Sequence, residues 1–146
     1  MPTEKQILIK VRGVILHEGK MLVVVHPHNT NFAALPGGHL EWGEDPKECL
    51  IRELEEELGV KPEIGRLLYV NTFSQEDGKH YVEFFFEVLN GEKYLNTEKL
   101  ARSHAHEIAK IIWASPTDNI NILPKSFGED FKAGKILSNE VRFIKD

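Results

Sequence analysis

The chain has 146 residues, 41% hydrophobic and 28% charged, with a formal net charge of −5. That is the make-up of an ordinary globular domain large enough to bury a core, so a single domain over 1–146 is expected. The acidic balance, with no Lys/Arg run, argues against a DNA or RNA surface, and no apolar run reaches the roughly 18 residues of a membrane span.

In chain order, "QILIKVRGVILHEGKMLVVVHPH" predicts two strands joined by a hairpin turn at Glu18-Gly19-Lys20. "NTNFAALPGGHLEWGE" follows as a loop. A helix comes next, with Asp45 as N-cap, Pro46 at the first helical position, Glu48 in the capping-box place and Gly59 as its stop. "EIGRLLYVNTF" and "KHYVEFFFEVL", rich in β-branched and aromatic residues, read as a second hairpin around Asp77-Gly78. "HEIAKIIWAS" predicts another strand and "SPTDNINILP" a turn with a short helix. Beyond Lys125, "GEDFKAGKIL" reads as a helix and "EVRFIK" as a short strand. The class is α/β (α+β), mixed strands and helices with one prominent helix near the middle.

That helix carries Glu53, Glu55, Glu56 and Glu57. Like charges three or four positions apart on a helix repel by roughly 0.2–0.5 kcal/mol per pair, so the concentration needs a reason. At about 100° per residue, Glu53, Glu56 and Glu57 share one arc, and Leu50, Ile51, Leu54 and Leu58 occupy the neighbouring, core-facing arc. Glu55 lies on the solvated side. Three adjacent carboxylates are either a plain acidic surface or the seat of a hard divalent cation, which takes oxygen ligands. Arg52 has an ordinary ion-pair partner in Glu48, four residues earlier.

The flanking residues make a longer pattern: Gly38, five residues, Glu44, seven residues, then Arg52-Glu53-Leu54-Glu55-Glu56-Glu57-Leu58-Gly59-Val60. It resembles the signature of the Nudix hydrolase superfamily, and every specified position is met. The resemblance implies a mixed β-sheet held between α-helices, and cleavage of a nucleoside diphosphate linked to another group, with Mg²⁺ or Mn²⁺ as cofactor. It implies that Glu53, Glu56, Glu57 and the Gly38 carbonyl bind the metal, that Arg52 orients the glutamates, and that Glu44 supports them. The general base is Glu53 or Glu56 within the motif, or a later acid. Among later acids Glu107 leads, because "HEIAKIIW" resembles a segment in which relatives carry an extra acid before a tryptophan; Glu98 and Glu83 follow.

Outside the motif, His26 and His28 end a strand near where relatives place a basic phosphate contact. Phe32 and Trp42 either stack on a base or cover the core. Phe84, Phe85, Phe86 and Trp113 read as packing. His104 and His106 have ligand-like spacing, but no further soft ligands stand nearby for a zinc site.

Substrate identity is not legible. Position 74, where ADP-ribose-cleaving members carry proline, is Ser74, and the tyrosine of dinucleoside-polyphosphate members is replaced by Gln75, Glu76 and Asp77. Nucleoside triphosphates, oxidised ones included, and ADP-ribose-type substrates stand level. The other functional class is a nucleotide sensor or binding module on the same fold. Such members often lose motif glutamates, and this chain keeps them all. An isomerase reading calls for a catalytic cysteine, and Cys49, the only cysteine, sits on the helix flank. A lone cysteine and a start unlike a secretory leader point to the cytoplasm. The family often forms homodimers.

Overall fold

In a computed structural model, residues 4–26, 29–96 and 110–146 are described. The strands are β1 (Gln6–His17), β2 (Lys20–His26), β3 (Asn29–Ala34), β4 (Gly37–His39), β5 (Ile64–Ser74), β6 (Lys79–Val88), β7 (Lys110–Ala114) and β8 (Arg142–Lys145). Among the described residues the helices are α1 (Pro46–Leu58) and α2 (Lys125–Lys132), with a 3-10 turn at Gly91–Tyr94.

All the strands join one mixed sheet. β1 is its axis: it runs parallel to β6 along most of its length, with Ile9 opposite Val82. Its other edge is shared, antiparallel β4 taking Lys10 to Arg12 and β2 taking Leu16 and His17. β5 pairs antiparallel with β6 and parallel with β8, while β2 carries β3 and β7.

Both expected hairpins form. At the first, Glu18 (φ 49°) and Gly19 (φ 79°) take the left-handed conformation that a tight two-residue turn needs. At the second, Gly78 N–H donates to the Gln75 carbonyl and Gln75 N–H to the Lys79 carbonyl. The predicted loop before α1 is different, because it contains β3 and β4. Its Asn, Pro and Gly residues read locally as turn formers, but β2 and β1 offer open edges on which these short segments pair. In "SPTDNINILP" the turn forms at Ser115–Asp118 and no helix follows it before α2. The last helix begins at Lys125, earlier than expected, and the chain turns at left-handed Gly134 (φ 72°).

The sheet separates two apolar layers. One gathers Val11, Ile15, Leu22 and Phe86 under Cys49, Leu50, Leu54 and Leu58 of α1. The other gathers Val14, Met21, Val23, Tyr69 and Phe85 under Phe127 and Phe131 of α2. Alternation along β1 and β2 sends neighbouring side chains to opposite layers. The mixed sheet therefore lies between helices. Tyr69 Oη donates to Asp130 at 2.7 Å and Arg142 pairs with the same carboxylate, tying α2 to β5 and β8. Among the described residues no helix is long and apolar enough to cross a membrane.

Candidate active site

Helix α1 starts and stops where the sequence says. The Asp45 side chain accepts the Glu48 N–H at 2.9 Å, Pro46 follows, and left-handed Gly59 returns its N–H to the Glu55 carbonyl. Its core stripe is rotated from the expected one: Cys49 is fully buried, whereas Ile51 is only half-buried. The Cys49 Sγ lies 3.4 Å from the His39 carbonyl, so the thiol packs beneath β4, and burial pushes it up to about 12. A thiol so far from ionising is no nucleophile.

Glu53, one turn after Cys49 on the same face of α1, meets β4 at Gly38. A Cβ on Gly38 would lie 2.3 Å from the Glu53 carboxyl carbon, so the backbone at Gly38 abuts that carboxylate. At Gly37 (φ 151°) a Cβ would lie 1.9 Å from the Val11 carbonyl oxygen. Glycine at 38 lets β4 approach the α1 carboxylate, and glycine at 37 lets it approach the β1 backbone.

Arg52 organises the acids. Its Nε and Nη2 donate to the two oxygens of Glu44 at 2.7 and 3.0 Å, and Nη2 also reaches the His39 carbonyl. Nη1 donates to Glu53 at 2.9 Å and to Glu56 Oε2 at 3.4 Å. The expected pairing of Arg52 with Glu48 gives way to these closer partners. Bonding to Arg52 holds the Glu44 carboxyl below the usual carboxylate range, and the same acids hold the guanidinium charged.

Glu57 is the outlier. Burial, reinforced by the neighbouring Glu53 carboxylate, raises its carboxyl to about 8, against the opposing pull of Arg12 and a Gly37 N–H. The donor set expected from the sequence, Glu53, Glu56, Glu57 and the Gly38 carbonyl, is all oxygen, which suits a hard divalent cation. Among the described residues no three His, Cys, Asp or Glu side chains are gathered closely enough to hold one as they stand. Glu53 and Glu57 are neighbours, while Glu56 is 53% exposed and turned toward Arg52.

Beside this corner lie two adjoining cavities of about 430 and 300 Å³ that share Lys10, Arg12, Phe32 and Leu35 in their walls. The smaller ends at Glu57, Gly37 and His26. The larger continues over Asn71, Phe73, Glu83 and Phe85. Of the residues expected to contact substrate, Phe32 and His26 therefore line the cleft. Trp42 does not: it is fully exposed on the loop before α1 and borders neither cavity. Glu107, Glu98, His28, His104 and His106 lie outside the described residues.

Sequence reasoning missed Lys10, Arg12 and Asn71 as cleft residues. The signal was available for the first two: charged residues at alternate positions of an apolar strand, "LIKVRGVIL", mark a strand face that is polar for a reason. Lys10 lies 4.7 Å from the Tyr81 ring centroid, and burial lowers its pKa. His39 is lowered as well, by burial and by the charge of Lys10.

Comparison with known proteins bears on the family and the fold. Over 89 residues the chain is 34% identical to an ADP-ribose pyrophosphatase of Methanocaldococcus jannaschii, an alignment covering 58% of this chain and 53% of that protein. The chain thus spans about half the length of that relative. Over 111 residues it is 28% identical to the CTP pyrophosphohydrolase of Escherichia coli, covering 74% of this chain and 76% of that one. The solution structure of the E. coli ORF135 protein has the same fold, with a TM-score of 0.70 at 24% identity over 88% of this chain and 91% of that one. Residues 8–133, from β1 to the end of α2, match the NUDIX domain, and the chain belongs to that family.

Proposed function

We propose that this chain hydrolyses the pyrophosphate bond of a nucleoside diphosphate linked to a further group, with Mg²⁺ or Mn²⁺ as cofactor. The observation that carries the reading is the setting of Glu53, pressed against the Gly38 backbone on one side and held by Arg52 on the other. Glu53, Glu56, Glu57 and the Gly38 carbonyl would hold the cation. When bound, it would offset the charge of the phosphates and acidify a water molecule.

The protein's own contributions follow from the geometry. Arg52, itself fixed by both oxygens of Glu44, sets the directions of Glu53 and Glu56. Within the motif the general base is Glu53 or Glu56: each meets Arg52 through one oxygen, Oε1 of Glu53 and Oε2 of Glu56, and would take the water's proton on the other. Glu107 stands as a second candidate base. The two cavities take the nucleotide, with Phe32 against the base and His26 near the phosphates at the Glu57 end. The names of the relatives favour ADP-ribose and CTP as the first substrates to try. Nucleotide substrates and a lone buried thiol fit a cytoplasmic enzyme.

The test is release of phosphate or pyrophosphate from a panel of nucleoside triphosphates, oxidised guanine nucleotides, ADP-ribose, dinucleoside polyphosphates and NADH, with phosphatase coupling where products are monophosphates. It is run with Mg²⁺, with EDTA, and with Glu57→Gln. Turnover that needs the cation and is lost in the variant is expected. A folded protein that binds a nucleotide and turns over none of the panel would make it a sensor instead.

A further inference from the structure

On the cleft wall away from α1, one polar row crosses three strands: Asn71 on β5, Glu83 on β6 and Lys10 on β1 are cross-strand partners. Arg12, two residues along β1, lies on the same face. Glu83 is buried, 5% exposed, with both carboxylate oxygens engaged. Its Oε2 accepts Arg12 Nε at 3.1 Å and its Oε1 accepts Asn71 Nδ2 at 3.0 Å. Asn71 is fixed in turn by the Asp146 N–H on its Oδ1. Arg12 also donates Nη1 to the Leu35 carbonyl at 3.1 Å.

A buried carboxylate is costly to desolvate, so its partners say what it is for. Here they fix the plane of one guanidinium. With Nε and Nη1 committed, Arg12 still lines both cavities at the point where they meet. Lys10 lines both beside it. A guanidinium fork held in one plane suits two oxygens of a phosphate chain, which a freely swinging side chain would meet only after losing its rotamer freedom. Glu57 borders the smaller of the two cavities as well.

We propose that Arg12, with Lys10 beside it, is a seat for the phosphate chain at the junction of the two cavities, and that Glu83 is its positioning residue. Glu83 keeps the guanidinium aimed at the junction. It does not serve as a general base, because both its oxygens are occupied by donors. The inference rests on the nucleotide reading of the cleft, but the seat itself recognises phosphate with or without a nucleoside.

The experiment is calorimetric titration of inorganic pyrophosphate, in EDTA, into the unaltered protein, Arg12→Ala, Glu83→Met and the double variant. Arg12→Ala should weaken binding at least tenfold, Glu83→Met by a comparable factor, and the double variant no more than Arg12→Ala alone. The sign for Glu83→Met is decisive: loss of a negative charge alone would tighten anion binding, whereas loss of positioning weakens it. If Glu83→Met does not fold, Glu83→Gln decides with the same sign, since its amide must face a donor of Arg12 or Asn71. Absence of pyrophosphate binding in the unaltered protein, tighter or unchanged binding in the Glu83 variants, or losses that add in the double variant would overturn the proposal. So would a reduced fraction of binding-competent Glu83→Met with the dissociation constant unchanged, which is the mark of a purely structural role. Hydrolysis is not read, so failure of the substrate panel alone overturns the proposed reaction and leaves this result standing.

Discussion

Arg52 and Glu44 meet fork to fork, Nε to Oε2 at 2.7 Å and Nη2 to Oε1 at 3.0 Å, across eight residues of sequence. The pair is anchored further by the Glu41 N–H on Glu44 Oε1, so the loop before α1 and the helix itself are clamped together. The remaining guanidinium nitrogen, Nη1, is thereby aimed at Glu53 and Glu56.

A lysine at position 52 keeps the charge and loses the fork. Arg52→Lys should lower kcat/KM and the apparent affinity for divalent cation by about 10–100-fold, the usual effect of losing a group that orients ligands. Activity measured against Mg²⁺ concentration checks this. A full return of the rate at saturating Mg²⁺ would assign Arg52 to cation binding alone, and a residual deficit would add a part in the chemistry.

Two adjacent glycines should fail differently. The Cβ of Gly38→Ala meets the far end of the Glu53 side chain, which can swing away, so the protein should fold and lose cation affinity at least tenfold. The Cβ of Gly37→Ala meets the Val11 backbone, which cannot, and the φ of 151° adds strain of about 1–3 kcal/mol. Thermal melting beside cation titration separates the two. Gly37→Ala should lower the melting midpoint well below that of Gly38→Ala.

The contrast between these positions also explains what was legible in the sequence. The acidic motif and its caps were legible because Asp45, Pro46, Gly59 and the glutamates act within one helix, where spacing alone fixes neighbours. β3 and β4 were not, since residues 29–39 carry turn-forming types and become strands only against edges supplied by β1 and β2. Nor was the Arg12–Glu83–Asn71 row, whose members lie up to 71 residues apart and meet only through strand register. The exposure of Trp42 was not legible either, because its size suggests burial or stacking and nothing local reveals that the loop turns it to solvent.

Glu57 makes the cation-free protein sensitive to pH in a definite direction. Its folded carboxyl titrates near 8, above the ordinary 4.5, so between those values the folded state holds a proton that the unfolded state has lost. The contribution of this group to stability therefore falls as pH rises from about 4.5 through about 8. In EDTA, Glu57→Gln should melt progressively higher than the unaltered protein as pH rises through that window, with the gap closing toward pH 4.5. Melting curves of the two proteins across this range test it; parallel curves would show that Glu57 is already ionised at low pH.

Phe32 and Trp42 offer the last comparison, because both are aromatic candidates for the base and only one lines the cleft. Stacking of a base on an aromatic ring is worth about 1–3 kcal/mol, so Phe32→Ala should raise KM by roughly 5–150-fold. Its kcat should change much less, since the ring touches no reacting atom in the proposed chemistry. Trp42, fully exposed, has no packing to lose, and Trp42→Ala should leave the melting midpoint and KM close to those of the unaltered protein. Steady-state kinetics with the best substrate of the panel read both variants. A rise in KM for Trp42→Ala without one for Phe32→Ala would mean that the loop before α1 closes over the substrate and carries the stacking ring with it. The larger cavity would then be left to the group on the far side of the pyrophosphate.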